Sequence, residues 1–548
     1  MNFETRDVSE SSFLAEFPET SAEDANRSAV ALADRLARKP PRGLLDAIPG
    51  ATTLFVLFDP GIVEREKLVR RLRRLAEEPG TAPRETRRFR IPVAYGGDFG
   101  PDLSVLASQR GISAEELARR HAGADYTVAF LGFSPGFAYL TGLPPGLSAP
   151  RRDSPRTRVP AGSLAIGGDY TAIYPAETPG GWMLIGRSPV RLFDPVAHPP
   201  ALLRPGDRVF FQPVTDEELR ARIAENMALE RTRRPRLLSG RSLRSLGSPL
   251  NASRTGEGSA PPASEDVLFE TLTAGLFTSV QGPPRFGMGA SGVAAGGAMD
   301  LPALERGNAI VGNAGGAAGL EITLSGPELL LATDALLCVT GADLDARWNG
   351  SPVTIGAAFP AKAGDRISFR YAAAGMRAYL CVQGGLALPL PGEPVARLAK
   401  GDSIARARPP ALAGPSVPPG AAPVPPGRDL ALSVLPGPQP SFFSAGAMDV
   451  FFSATYRVSP DSDRRGIRLE GPPLELTQPP DIPPEGTALG SIQVPANGLP
   501  IVLGPDRPVT GGYAKIATVV ASDWPLLAQA LPGTAIRFRP AGPGAFLA

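Results

Sequence analysis

The chain has 548 residues, of which 43% are apolar, and a formal net charge of +2. This length predicts two to four domains, each with enough apolar residues for its own core. The balanced charge argues against nucleic acid or an anionic membrane as a partner. No run of about 18 apolar residues occurs and the N-terminal MNFETRDVSESS is polar, so we expect a cytoplasmic protein without a membrane span or secretion signal.

The N-terminal segment, residues 1–95, alternates helix and strand patterns and predicts an α+β domain. Helices are predicted at 21–38, after a polar start, and at 62–78, which is amphipathic and rich in arginine. Strands are predicted at 52–59, a short buried run, and at 87–95, where apolar and polar residues alternate.

A further helix is predicted to begin at Ser113, which stands three residues before Glu116 in a capping-box pattern, and to end near His121. Capping of the helix C-terminus by a protonated imidazole is one interpretation of His121, and a general base or phosphate ligand is the other. The second histidine, His198, lies in a proline-flanked loop. Neither has a neighbouring cysteine, so no metal site is predicted.

From residue 96 the pattern changes to short strands separated by glycine and proline, each of which occurs 62 times in the chain. Three strand-rich units are predicted, at 96–232, 267–405 and 429–548. The segments between them, 233–266 and 406–428, are rich in serine, glycine or proline without periodicity, and we interpret them as linkers.

The first and last strand-rich units repeat each other. GSLAIGG (162–168) precedes PGGWMLIG (179–186), and GSIQVPANG (490–498) precedes TGGYAKIA (510–517) in the same order. Paired motifs at similar spacing indicate a duplicated all-β unit. Because helix patterns are sparse there, a small closed or semi-closed β-barrel is the predicted architecture.

The stretch TPGGWMLIGR (178–187) predicts a turn that enters a strand. Its Gly180 and Gly181 can present backbone N–H groups to an anion, Trp182 can wall a pocket, and Arg187 can act as a bidentate clamp. GMGASG (287–292) matches the dinucleotide-binding pattern, but no strand leads into it, which disfavours that interpretation.

Lysine is rare in this chain, which makes Lys515 a candidate for a compact, protonatable charge, with a chance surface lysine as the alternative. The other candidate ligand-binding residues of the last unit are Gln493, Asp506, Gly511, Gly512 and Tyr513. In the first strand-rich unit the candidates are Gly136, Ser163, Gly180, Gly181 and Trp182.

Long motifs of the first half resemble the B-type subunit family of 5-oxoprolinase, also called allophanate hydrolase subunit 1 or Kip-type kinase inhibitor. They are YGGDFGPDL (95–103), FLGFSPGFAYLTGLP (130–144), PRTRVPAGSLAIGG (155–168) and PGGWMLIGRSPVRLFDP (179–195). The second half resembles the C-type subunit, with LEITLSGPEL (320–329), RAYLCVQGGL (377–386), DRRGIRLEGPPL (463–474) and TGGYAKIATV (510–519). The chain therefore resembles a fusion of both subunits.

The resemblance implies a mainly β fold with an α+β N-terminal domain and cyclophilin-like β-barrels, one in the first half and two in the second. It also implies the ATP-dependent opening of 5-oxo-L-proline to L-glutamate with a separate A-type subunit. Under this hypothesis ATP with Mg²⁺ is the cofactor, the catalytic candidates are His121, Arg187 and Lys515, and a homo-oligomer is expected.

Two alternatives stay open. One is a carboxyltransferase that acts on urea or a related amide, with biotin carried by a partner protein. The other is a non-catalytic inhibitor of a sensor kinase. The second half also departs from its family pattern: VQGPPR (280–285) lacks an aspartate, and DRPVTGGYAK (506–515) lacks a glutamine, a threonine and a proline.

Overall fold

The computed structural model describes residues 1–19, 21–78, 86–152, 154–233, 267–393, 396–407 and 427–542. Most of the two predicted linkers, 233–266 and 406–428, lies outside the described residues. Within the described ranges, no helix is both long and apolar enough to cross a membrane.

A four-stranded antiparallel sheet and two helices form the N-terminal domain, as predicted. Its elements are β1 (Glu4–Ser9), β2 (Ser12–Glu16), α1 (Ala22–Arg38), β3 (Leu44–Pro49), β4 (Thr53–Phe58) and α2 (Arg65–Glu77). The strand order is β1–β2–β4–β3. Helix α1 begins where the Ser21 hydroxyl accepts a hydrogen bond from Asp24 N, and its Leu32 and Leu36 share a core with Leu72 of α2.

The next unit is a closed seven-stranded barrel. Its elements are β5 (Arg88–Tyr95), α3 (Leu103–Gln109), α4 (Ala114–Ala122), β6 (Tyr126–Leu131), β7 (Ala138–Thr141), β8 (Arg156–Val159), β9 (Ser163–Gly167), β10 (Tyr170–Ile173), β11 (Thr178–Gly180), β12 (Met183–Arg187), β13 (Arg208–Pro213) and α5 (Asp216–Arg233). The barrel runs β5–β12–β9–β10–β7–β6–β13, and β13 returns parallel to β5. Strands β8 and β11 form a separate two-stranded ribbon, the first ribbon.

Strand β5 corrects one predicted boundary. Residues 87–95 are predicted to belong to the N-terminal domain, whereas β5 pairs with β12 and β13 of the barrel. Alternation of apolar residues identifies a strand but not the sheet that it joins, so the pattern could not distinguish the two domains.

The middle unit is not the predicted barrel. Its elements are β14 (Val267–Thr273), β15 (Phe277–Gln281), α6 (Leu301–Ile310), β16 (Gly319–Thr323), β17 (Glu328–Leu331), β18 (Ala335–Asp343), β19 (Arg347–Trp348), β20 (Ser351–Pro352), β21 (Ala358–Ala361), β22 (Arg366–Ser368), β23 (Ala374–Val382) and β24 (Ser403–Ala405). The strands pair as a six-stranded sheet and a five-stranded sheet. Phe269 of one sheet and Leu380 of the other belong to a single core, which makes the unit a sandwich.

The last unit is again a closed seven-stranded barrel. Its elements are β25 (Asp429–Pro436), α7 (Ala445–Ser453), β26 (Tyr456–Val458), β27 (Gly466–Glu470), β28 (Asp481–Gly486), β29 (Ser491–Gln493), β30 (Ile501–Leu503), β31 (Thr510–Tyr513), β32 (Lys515–Val519), α8 (Trp524–Ala528) and β33 (Ala535–Pro540). Its order, β25–β32–β29–β30–β27–β26–β33, repeats that of the first barrel strand for strand. Strands β28 and β31 form the equivalent second ribbon. The predicted duplication is confirmed.

The second ribbon packs against the first half through positions that only glycine can occupy. A Cβ atom at Gly132, after β6, would overlap the Thr510 hydroxyl, and one at Gly486 would overlap Phe55 of β4. The neighbouring Ala51 donates a backbone hydrogen bond to Pro484 O at 2.7 Å. Backbone therefore touches backbone across this contact, which fixes the last barrel against the first half.

A buried ion-pair network joins the last barrel to the sandwich. The Arg464 guanidinium donates to Glu321 Oε1 at 2.6 Å and to the Asp506 carboxylate at 2.8 Å. Burial would raise the pKa of Glu321, but the nearby charges of Arg464 and Arg377 lower it overall. Tyr379 donates its hydroxyl to Glu321 Oε2 at 2.8 Å, so both oxygens of this buried carboxylate are hydrogen-bonded.

Replacement of Arg464 by methionine should destabilise the protein by about 3–5 kcal/mol, because it leaves the Glu321 carboxylate buried without its cation. The adjacent Arg465→Met is the control, since Arg465 is exposed and pairs locally with Asp463. Urea unfolding of both variants measures the difference. Equal unfolding midpoints would show that the network contributes nothing to stability.

Candidate functional site

The two Gly-Gly turns of the repeat lie close to each other, on either side of Arg151 and Arg152, where the first and second ribbons approach. The region between the ribbons is here called the inter-barrel cleft. Gly181, directly after β11, accepts a hydrogen bond from Arg152 N at 2.8 Å. The neighbouring Arg151 reaches the second ribbon: its guanidinium carbon lies 5.9 Å from the ring centroid of Tyr513, and its Nη1 lies 3.5 Å from Asp481 Oδ1. Arg151 therefore bridges the ribbons of the two barrels.

Three other predicted glycines, Gly180, Gly511 and Gly512, border the same cleft. Gly512 lies beside Arg151, since a Cβ at this glycine would stand 3.4 Å from Arg151 Nη2. Gly511 lies against the Gln493 amide, and Gly180 against the Tyr174 hydroxyl. Because glycine has no side chain, the polar groups of Arg151, Gln493 and Tyr174 lie close to the ribbon backbone.

Lys515 lies at the base of the second ribbon and is fully buried. Its Nζ stands 2.6 Å from Glu485 Oε1 of β28 and has no other partner among the described residues. The same Glu485 oxygen accepts a hydrogen bond from Gln439 Nε2 at 2.7 Å. Lys515 is therefore a buried, paired cation, and the surface-lysine interpretation is wrong.

Gln493 stands opposite Lys515 in the register of β29 and β32. The side chain of Gln493 is buried, and its Nε2 finds no acceptor within the described part of the chain. An unpaired buried donor costs about 1–3 kcal/mol, so such groups commonly serve a ligand or water. Lys515 and Gln493 are thus buried N–H donors on directly paired positions of neighbouring strands.

Trp182 does not form an open wall of the cleft. Its ring is buried edge-on against Phe137 and Tyr139, with centroids 5.5 and 5.6 Å apart, and it lies over Gly167. It belongs to an aromatic core on the side of the first barrel that faces the second ribbon. Trp182 is thus a core residue beneath the first ribbon, not a residue that lines the cleft.

His121 lies elsewhere, inside the first barrel. Its Nδ1 is 2.9 Å from the Tyr95 hydroxyl, its Nε2 is 3.0 Å from Thr171 Oγ1, and its ring stacks on Phe211. Burial lowers the pKa of His121 to about 3, so the imidazole is neutral. Capping by a protonated imidazole is therefore wrong, and the ring is separated from the cleft residues.

Arg187 and Ser163 are also apart from the cleft. They face each other at the far end of β12 and β9, and Arg187 Nε donates to Ala161 O at 2.9 Å. Five strand residues span roughly 15 Å, which separates Arg187 from Gly181 at the other end of β12. The structure does not form the predicted clamp of Arg187 with the glycine turn.

Asp506 and Gly136 lie at contacts between domains. Asp506 is the partner of Arg464 in the buried network, and Gly136 N donates to Ser291 O of the sandwich unit at 3.0 Å. The GMGASG segment lies against the N-terminal domain, where Gly287 N and Gly289 N both donate to Asp46 of β3, at 3.1 and 3.0 Å.

Several cleft residues were not predicted from the sequence. Asp102 accepts hydrogen bonds from Arg156 Nη2 and from Leu184 N, both at 2.7 Å, and Glu485 pairs with Lys515. The signal was a run of arginines at 151–158 and an aspartate in YGGDFGPDL. Charged residues are usually solvated, so neither pattern alone indicates a site.

Two family descriptions match the chain. "Carboxyltransferase domain, subdomain C and D" matches residues 3–203, and "Carboxyltransferase domain, subdomain A and B" matches residues 291–540. A solved protein named TTHA0988 is 34% identical with a TM-score of 0.78, and the match covers 98% of this chain and 100% of that one.

Curated relatives match each half separately. The B-type subunit of 5-oxoprolinase from Escherichia coli O157:H7 is 46% identical over 33% of this chain and 83% of its own length. The C-type subunit from Escherichia coli K12 is 34% identical over 50% of this chain and 90% of its own. Urea amidolyase from Lachancea kluyveri is 28% identical over 50% of this chain, but over only 17% of its own length.

Replacement of His121 by glutamine should flatten the pH dependence of stability. The folded-state pKa of about 3 lies below an unfolded-state value near 6.5, so stability is lost as the pH falls below 6.5. Between pH 7 and pH 5 the wild type should lose about 2 kcal/mol through this residue.

The measurement is urea unfolding of both proteins at pH 7, 6 and 5, with His198→Gln as the control for an exposed-loop histidine. An unchanged slope in His121→Gln would contradict the neutral, buried imidazole.

Proposed function

Because the chain belongs to the carboxyltransferase-domain family of the B-type and C-type 5-oxoprolinase subunits, with a half of each type in one polypeptide, we propose that it is a component of an ATP-dependent 5-oxoprolinase. In this function it opens 5-oxo-L-proline to L-glutamate with a separate A-type subunit. The names of the relatives support the reaction and the need for a partner.

The observation that carries this proposal is the buried group formed by Lys515, Glu485 and Gln493. These residues lie where the second ribbon meets the first half, which places them inside the protein rather than on a free surface. Buried cations are retained mainly where a counter-charge or a ligand holds them. Glu485 supplies the counter-charge, and Gln493 Nε2, which has no hydrogen-bond partner among the described residues, is a donor that a ligand would satisfy.

Ring opening of a lactam makes two demands that these residues meet. A water molecule adds to the carbonyl carbon and gives up a proton, so that negative charge develops on the carbonyl oxygen. The ring C–N bond then breaks as the adduct collapses, and the departing nitrogen takes up a proton. Lys515 Nζ and Gln493 Nε2 would donate to this oxygen in a buried site that excludes bulk solvent but admits the one reacting water. The Lys515–Glu485 pair would supply and recover the proton.

Coupling to ATP would use the cations of the first half. Phosphoryl oxygens bind arginine side chains and backbone N–H groups, which Arg151, Arg152 and the Gly180–Gly181 turn offer in the cleft. Among the described residues, no cluster of three carboxylate, histidine or cysteine side chains could hold a metal ion. Mg²⁺, where present, would be held in large part by the nucleotide phosphates themselves.

The protein mixed with an A-type subunit, 5-oxo-L-proline and ATP should form glutamate, and Lys515→Met should reduce kcat at least 100-fold, because charge stabilisation of this kind contributes about 2.7–4 kcal/mol. Lys362→Met is the matched control, since Lys362 is exposed and pairs with Asp334 on the sandwich.

Glutamate is measured by a coupled assay, and circular dichroism verifies the fold of each variant. Absence of glutamate above that of either protein alone would reject the function. Full activity of Lys515→Met would reject the assigned site while leaving the reaction in place.

A carboxyltransferase is the second candidate, favoured by the carboxyltransferase description of both family matches and by the similarity to urea amidolyase. In that reaction a partner protein would carry carboxybiotin, and the amide nitrogen of urea or a related compound would receive the carboxyl group. The same N–H donors would polarise the carboxyl oxygen.

The two candidates separate by isotope transfer. Incubation with carboxybiotin labelled with ¹⁴C and with urea should leave no label in the amide if the chain serves a 5-oxoprolinase. Labelled allophanate, formed without ATP or the A-type partner, would instead establish the carboxyltransferase.

A further inference from the structure

The two ribbons are equivalent parts of duplicated barrels, and their glycines face different charged residues. In the first ribbon Gly180 pairs with Arg156, and in the second Gly511 pairs with Glu485. The motif alignment PGGWML with TGGYAK also makes Leu184 of β12 equivalent to Lys515 of β32. The residue paired with the ribbon glycine is therefore positive in the first half and negative in the second, and Lys515 has an uncharged counterpart.

In each barrel, one side chain hydrogen-bonds both the charged ribbon residue and the neighbouring barrel strand. Asp102 binds Leu184 N with one oxygen and Arg156 Nη2 with the other, at 2.7 Å each. Gln439 binds Lys515 N through Oε1 at 3.1 Å and Glu485 through Nε2 at 2.7 Å. In both barrels one side chain thus ties the ribbon to the barrel wall at the same place.

The two barrels differ in how the charge of the ribbon residue is balanced. Glu485 is neutralised by Lys515, whereas the equivalent residue of the first barrel, Leu184, has no charge. Asp102 serves both Arg156 and Arg152, whose Nη1 lies 3.4 Å away, so two guanidinium groups share one carboxylate. The first ribbon is therefore left with an excess of positive charge.

Two donors of the first ribbon also stay unused. Arg156 Nη1 and Thr178 Oγ1 are buried and have no hydrogen-bond partner in the part of the chain that the structure describes. Arg156 and Arg151 both act electrostatically on the hydroxyl of Tyr174, which lies against Gly180. Thr178 lies two residues before Gly180, the strand partner of Arg156, so both unused donors belong to the same short ribbon. A guanidinium fixed by Asp102, with a free N–H and a hydroxyl donor on the neighbouring strand, suits the two oxygens of one anionic group.

We propose that the first ribbon is an oxyanion-binding subsite in which Arg156 Nη1 and Thr178 Oγ1 bind a carboxylate or phosphoryl group, with Asp102 as the positioning residue. The identity of the ligand rests on the proposed function: the anion is either the carboxylate of the lactam or a phosphate of the nucleotide. The second ribbon, with its own charges paired, then receives the neutral amide group. The anionic group and the neutral amide group of the reactants would thus bind to different barrels of the duplicated pair.

Asp102 positions Arg156 rather than touching the ligand. Asparagine at this site keeps an oxygen for Leu184 N but loses the negative charge that orients the guanidinium. Asp102→Asn should weaken anion binding less than Arg156→Met does, and Arg156→Lys should not restore it, because an ammonium cannot bind Asp102 and the ligand in the same fork geometry.

The test is isothermal titration calorimetry of the full chain, without a partner protein, with four probes: 5-oxo-L-proline, 2-pyrrolidone, ATP and inorganic phosphate. Arg156→Met should weaken binding of at least one anionic probe 10-fold or more and leave 2-pyrrolidone, which has no carboxylate, unchanged. Arg158→Met is the control, since Arg158 lies on the same strand, is exposed and pairs with Glu177.

Loss of 5-oxo-L-proline binding alone would identify the substrate carboxylate, and loss of ATP and phosphate binding would identify the nucleotide. Equal anion binding by Arg156→Met and wild type, or no anion binding by the wild type at millimolar concentration, would overturn the subsite. Anion binding without glutamate formation would leave the subsite standing and reject the proposed function alone.

Discussion

The whole cleft depends on one close approach, that of the second ribbon to the first half at Gly132 and Gly486. At both positions the neighbouring chain fills the volume that a Cβ atom would need. Protein interiors are dense, so a contact of this kind has one geometry rather than a range of them. It sets the position of Lys515 relative to Arg151, which come from different barrels. Neither half alone contains both groups, and a shift of the contact would separate them.

The fold was predictable wherever the information was local. Glycine turns followed by apolar strands are short-range patterns, and their repeated order disclosed the duplicated barrel. The middle unit uses the same turn and strand patterns but closes as a sandwich, because the partner of each strand is decided by contacts far along the chain. The boundary at residue 95 was wrong for the same reason, since β5 looks like any other strand until its partners are known.

The site was predictable in part. The repeated glycine pairs lie close together and Lys515 is buried beside the second ribbon, whereas Arg187 lies at the opposite end of its strand and Asp506 pairs with Arg464 between domains. His121 has the residue type of a catalyst, but its two nitrogens are bound inside a barrel. Chemical type indicates what a residue can do, and only long-range packing decides what surrounds it. Asp102 and Glu485 were missed because the residues that they bind are distant from them in the sequence.

The location of both halves on one polypeptide fixes the ratio in which they are made and removes the concentration dependence of their assembly. Each half alone covers most of a separate relative, 83% of a B-type and 90% of a C-type subunit. When the parts of a composite site are separate chains, the assembled fraction depends on their concentrations and on their ratio. A covalent connection makes that encounter intramolecular. Every translated copy then carries the two halves in equal number, and dilution of the protein does not separate the cations of one barrel from the donors of the other.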